Sequence, residues 1–161
     1  MDEKTKPAFL TEAVADLAIA VAVGDVMQSV CIRDMLKREH CHIVVQCLAD
    51  GEPATIYEGG HGDPEEWNHD YKAIARSKAA LLWRGHDGRT DAIPHLLCVG
   101  DTPYWGGVYR DGIVVTCSGV QPWFDRMIAG IVADLCIGLA YDAWMVSEAK
   151  KNGLAFLTDE S

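Results

Sequence analysis

Trp105-Gly106-Gly107-Val108-Tyr109-Arg110-Asp111-Gly112-Ile113-Val114-Val115-Thr116-Cys117-Ser118-Gly119 is the stretch whose reading decides the fold. Its two apolar runs, Trp105 to Tyr109 and Ile113 to Cys117, are rich in β-branched and aromatic residues, which suit a pleated surface. Arg110-Asp111-Gly112 supplies turn chemistry between them, so the pair reads as two adjacent antiparallel strands. Three residues after Gly119 stands Pro122, a residue at home in the first turn of a helix, where a missing N–H costs nothing. Ile128, Ile131, Val132, Leu135 and Leu139 then fall on one helical stripe. That helix is expected to run to about Lys151, with Asn152-Gly153 ending it.

Working outward toward the N-terminus, His95 to Val99 reads as a further strand. Tyr71 to Arg84 has helix-forming composition, and Gly85 ends it. Gly85 to Pro94 and Gly59 to Asp70 are polar loops. His42 to Leu48 is an apolar strand, Asp50-Gly51 a turn, and Ala54 to Glu58 the returning partner. Thr11 is the expected N-cap of a first helix. Gly24-Asp25 interrupts it, and a second helical stretch continues to about Arg38 with Val26, Val30 and Met35 facing inward. The order is helix, two strands, helix, three strands, helix. It predicts an α/β (α+β) domain, with five antiparallel strands and helices on both faces. Residues 11–151 form this single domain between tails at 1–10 and 152–161.

Bulk properties narrow the function. The chain has 161 residues, 49% of them apolar and 24% charged, with a net charge of −10 and a pI near 4.9. Such an acidic surface repels phosphate backbones and anionic membranes, so neither nucleic acid nor membrane is an expected partner. The six cysteines form no C-x-x-C pair, and most sit in apolar runs. They read as free core residues of a cytoplasmic protein. Ala13 to Val23 is apolar but carries Asp16 and is preceded by Glu12. It lacks the basic start of a secretory signal and is too short to span a bilayer.

Two features suggest a binding site. Gly106-Gly107 and Ser118-Gly119 are expected to lie near each other, and Ser118-Gly119 leads into a helix N-terminus, which favours an anion. A carboxylate fits there; a tight strand-to-helix turn explains the same residues. The histidines are His40, His42, His61, His69, His86 and His95. His61, in an acidic loop, and His86, just after the central helix, are the candidate metal ligands, although no H-E-x-x-H spacing supports them. Cys117 reads as a buried strand cysteine and not a nucleophile. No Walker loop, G-x-S-x-G or Rossmann fingerprint is present.

Several motifs in fixed order resemble one family. Ile74-Ala75-Arg76-Ser77-Lys78-Ala79-Ala80-Leu81-Leu82-Trp83-Arg84 is similar to its central helix, which carries two basic residues and a terminal aromatic. Gly106-Gly107-Val108, then Asp111-Gly112, then Val114 to Ser118-Gly119, then Asp125 six residues later, follow its later pattern. Asp63-Pro64-Glu65-Glu66-Trp67 is similar to a segment before the central helix. Over roughly residues 24–150 the chain thus resembles the GlcG/HbpS-like family, a group often labelled heme-binding or heme-degrading. The resemblance implies a profilin-like, three-layer fold, homo-oligomers, and heme or another planar carboxylate as ligand. Arg76 and Lys78 match the basic positions and join Trp105, Gly106, Gly107, Ser118 and Gly119 as expected ligand-binding residues. The chain departs from the pattern in having no histidine before His40, and Tyr109 where the family has proline. The departures favour a heme-independent small-molecule enzyme as the rival reading, and the many aromatics an oligomeric protein-binding adaptor.

Overall fold

In the computed structural model, residues 6–89 and 93–157 are described. Parts of the two tails and of the loop before Pro94 lie outside them. The elements run α1 (Glu12–Val21), β1 (Cys41–Ala49), β2 (Glu52–His61), α2 (Tyr71–Trp83), β3 (Gly107–Arg110), β4 (Ile113–Ser118), α3 (Pro122–Met145) and α4 (Glu148–Lys151). The strands form one antiparallel sheet in the order β2-β1-β4-β3. The α+β class stands, with four strands among the described residues and not five.

Alternation along the strands distributes side chains to two faces. Ile43, Val45, Val115 and Cys117 join α1 and α3 in the main core, with Met27, Ile128, Val132 and Cys136. Val44, Val114 and Thr116 face the other way, onto α2, where Ala79 and Leu82 pack. The Thr116 hydroxyl donates to the Ala75 carbonyl at 2.7 Å, and Trp83 Nε1 donates to Gln46 at 2.9 Å. Helices therefore cover both faces. A bulge opposite Val45/Gln46 inserts Ile56 into β2, so Ile56 and Tyr57 both turn toward the main core.

Four expectations are corrected. His95 to Val99 is not a strand: Pro94–Leu96 makes a single 3-10 turn and Val99 is fully exposed. Arg84 holds this segment as a loop by donating to the Leu96 carbonyl at 2.8 Å and to Asp101 at 3.0 Å. The second helical stretch to Arg38 is absent. α1 widens into a π-turn at Ala22–Val26, and only a 3-10 turn at Arg33–Met35 follows. Val30 and Met35, expected inward, are 72% and 60% exposed. The last helix does not reach Lys151 unbroken. It stops at Met145, and Ser147 caps α4 by accepting from Lys150 N–H.

Thr11 does cap α1, accepting from Val14 N–H at 3.2 Å. Leu10 joins the core, and Phe9 lies edge-on to Trp144. By length and composition α3 is the one helix among the described residues long and apolar enough to cross a membrane. Its residues Ile128, Ala129, Val132, Ala133 and Cys136 pack in the core. All six cysteines are free, four of them buried.

Candidate functional site

β3 starts at Gly107, two strand positions before β4 ends, and this mismatch builds the site. Beyond Thr116, β4 has no strand beside it on that edge among the described residues, yet its backbone groups still require partners. Cys117 N–H donates to the Gly106 carbonyl at 3.2 Å. The Cys117 carbonyl accepts from Lys78 Nζ at 2.7 Å. The Gly119 carbonyl accepts from Arg38 Nη1 at 3.1 Å. Lys78 thus stands where β3 would have continued, and Arg38 holds the turn just past the end of β4.

Lys78 reaches this position from the buried face of α2 and pairs with Asp125 Oδ2 at 3.1 Å; the side chains are only 3% and 4% exposed. Asp125, in the first turn of α3, also accepts from Val120 N–H at 3.1 Å. Burial pushes the Asp125 carboxyl up to about 6, against the opposing pull of Lys78. Desolvation also pushes the fully buried Cys117 thiol well up, so it is no nucleophile.

Arg38 and Lys37 are positioned by Gln121. Its Oε1 accepts from Lys37 N–H at 3.0 Å and its Nε2 donates to the Met35 carbonyl at 2.7 Å. This clamp ties the irregular segment after the 3-10 turn to the residue that opens α3. With its side chain so engaged, Gln121 caps no N–H group of the helix. Arg38 also lies over the Tyr71 ring, 5.9 Å from its centre. On the other wall, Ser77 Oγ accepts from Thr102 N–H at 2.8 Å and anchors the run that carries Tyr104 and Trp105.

The result is a cleft of about 240 Å³. Tyr104, Trp105 and Trp123 are the aromatic walls, Ser118 and Gly119 part of the floor, and Lys37, Arg38 and Lys78 the cations, against Asp125 as the one carboxylate. Ser118 is buried. Gly119 permits the close turn: a Cβ there would stand 2.1 Å from the His40 carbonyl oxygen, and its φ is +142°.

Of the residues expected from sequence, Lys78, Trp105, Ser118 and Gly119 meet in this cleft. Gly106 lies against the ion pair, and Gly107 packs on Thr116 and Leu82 behind it. Both glycines line a void of about 10 Å³ that Lys78 and His86 share. Arg76 is elsewhere. It is bonded to Glu58 on β2, where it is the main cause of that carboxyl's lowered pKa. His61 and His86 are not gathered into a metal site. His61 pairs with Cys41 across the sheet, and His86 Nδ1 accepts from Gly88 N–H at 2.8 Å. Among the described residues no group of three or more His, Cys, Asp or Glu side chains converges as metal ligands would.

Sequence reasoning missed Arg38, Lys37 and Gln121. A helical reading of the stretch to Arg38 hides Lys37 and Arg38, and the Gln121 contacts span more than 80 residues of chain. Asp125 was noticed only for its spacing from Gly119. A buried carboxylate in a helix's first turn, with a lysine on the buried face of another, was the available signal.

No family model matches this chain, and no curated protein or solved structure matches it either. The resemblance described above therefore rests on its motifs alone.

Proposed function

We propose that the protein binds a small planar carboxylate in the cleft between the end of β4 and the start of α3. The observation that carries this is electrostatic. A chain with ten excess negative charges places three cations and one carboxylate around a single concavity. Such a charge distribution draws anions into the cleft and away from the rest of the surface. The aromatic walls add flat apolar area, the usual complement to a few polar anchors.

Heme is the leading member of the ligand class implied by the GlcG/HbpS-like resemblance, and the antiparallel sheet covered on both faces supports a profilin-like reading. Ligand pockets for drug-sized molecules occupy roughly 300–1,000 Å³. The cleft is smaller, so it suits a propionate arm and not the macrocycle. The ring would lie outside, across the exposed Tyr104 and Trp123. His69, also in the cleft lining, is the imidazole in that surface; His61 and His86 are not part of it.

A heme-independent enzyme is the second reading. Asp125 favours it, being a buried carboxyl in a cleft with its pKa raised to about 6, a property common among proton-transfer groups. The free cysteines accord with a cytoplasmic location. Exposed Tyr141, Met145 and Val146 at the end of α3 offer apolar surface for a homo-oligomer or an adaptor role.

Titration with hemin and with benzoate, followed by Soret absorbance and by tryptophan fluorescence, tests the proposal. Saturable binding of either, weakened in Arg38→Gln, is the expected result. No saturable change with either ligand at micromolar protein would remove it.

A further inference from the structure

The cleft has room and polar groups for more than a single carboxylate. Arg38 and Lys78 are fixed on the Gly119 and Cys117 carbonyls. These carbonyls lie two residues apart in sequence, at and just past the end of β4. Between them in sequence stands Ser118, nine-tenths buried and in the cleft lining. An ammonium has three protons to donate, and Lys78 spends two, on Cys117 and on Asp125. Asp125 balances one of the three cations, which leaves two positive charges over the cleft.

From this arrangement we infer that the site is built for a short dianion, a dicarboxylate of about four carbons. One carboxylate meets Arg38 and Lys37, and the other meets the remaining Lys78 proton and the Ser118 hydroxyl. The inference rests on the cleft reading above and narrows it. A ligand with one carboxylate leaves one cationic anchor unpaired. A cleft of about 240 Å³ favours a short diacid over a much longer one. Two charges on the ligand match the two uncompensated charges of the lining, and the aromatic walls accept a flat carbon backbone between them.

The test is calorimetric titration of the full chain at low salt and neutral pH with succinate, fumarate, butanoate, pimelate and benzoate. Succinate or fumarate is expected to bind at least about tenfold tighter than butanoate, which is one decade in Kd. Pimelate should fall back toward butanoate. Arg38→Gln should remove most of the preference for two carboxylates, and Ser118→Ala should weaken succinate more than butanoate. Equal affinity for succinate and butanoate, or an affinity that does not change with diacid length, overturns the inference even if either variant folds poorly. Binding of hemin or benzoate without that preference leaves the cleft reading standing and removes the dianion. Failure of every carboxylate removes both.

Discussion

Gly106 carries the ion pair on its back. A Cβ at this position would stand 2.6 Å from Asp125 Cβ and 3.1 Å from Lys78 Nζ, and its φ of +136° strains any side chain. Gly106→Ala should therefore destabilise the fold by about 2 kcal/mol or more, measured by urea denaturation, whereas Gly85→Ala, with open space around it, carries only the cost of its backbone conformation. The ion pair has its own signature. Lys78→Met strands a buried carboxylate and should cost about 3–5 kcal/mol, while the double change Lys78→Met with Asp125→Leu should recover most of that. The pH dependence follows from the raised Asp125 pKa. Its native value of about 6 exceeds the ordinary 3.8, so the folded protein binds the extra proton between those values. Its contribution to stability is then largest at low pH and declines as pH rises from about 4 to about 6. The difference in stability between the parent chain and Asp125→Asn should change across that window and be flat above it. A difference that is constant across the window would place Asp125 in a less buried setting. Arg76 gives the opposite kind of test. Arg76→Ala should leave carboxylate binding unchanged and raise the Glu58 pKa, readable by NMR titration.

Elements were legible in the sequence where a local signal and burial agreed. The Thr11 cap, the Asp50-Gly51 turn, the β3–β4 hairpin and the Pro122 start of α3 all occur where local chemistry put them. The misreadings share a cause. His95 to Val99 is apolar enough for a strand, but Arg84 and Asp101 occupy its backbone and hold it as a loop. Met27 to Arg38 has helical composition, but the widened turn after Gly24 redirects the chain, and Gln121 holds its far end. In each case side-chain contacts to the backbone outweigh weak local propensity, which periodicity does not report. Of the cleft, Trp105, Ser118, Gly119 and Lys78 were visible because they lie in or beside recognisable elements. Arg38 and Gln121 were not, because their roles exist only in the folded chain. Within α3, Ile128→Ala should cost about 2–5 kcal/mol, since that side chain is fully buried. Tyr141→Ser on the exposed side should change monomer stability by less than about 0.5 kcal/mol. Equal effects in thermal melts would mean that α3 packs on a different face.

At the scale of the whole molecule, a four-stranded sheet with unequal strands leaves the end of β4 uncovered, and Lys78 completes it while Arg38 holds the turn beyond. The site is thus a consequence of topology. Extending β3 by two residues would set Gly106 opposite Cys117 and Trp105 opposite Ser118, and so displace Lys78 from the Cys117 carbonyl. The acidic surface keeps anions at a distance except where Lys37, Arg38 and Lys78 concentrate the opposite charge. Carboxylate affinity should accordingly fall as salt is raised, because an open cleft is screened by mobile ions. The measurement that goes most directly to the central claim is the succinate titration of the parent chain beside Arg38→Gln, with circular dichroism to confirm that both are folded. Saturable one-to-one binding by the parent, weakened by about tenfold or more in the variant, is the predicted result. Folded proteins that bind succinate equally would contradict the account; a parent chain that binds benzoate but not succinate would remove the dianion alone, and one that binds neither would remove the cleft reading as well.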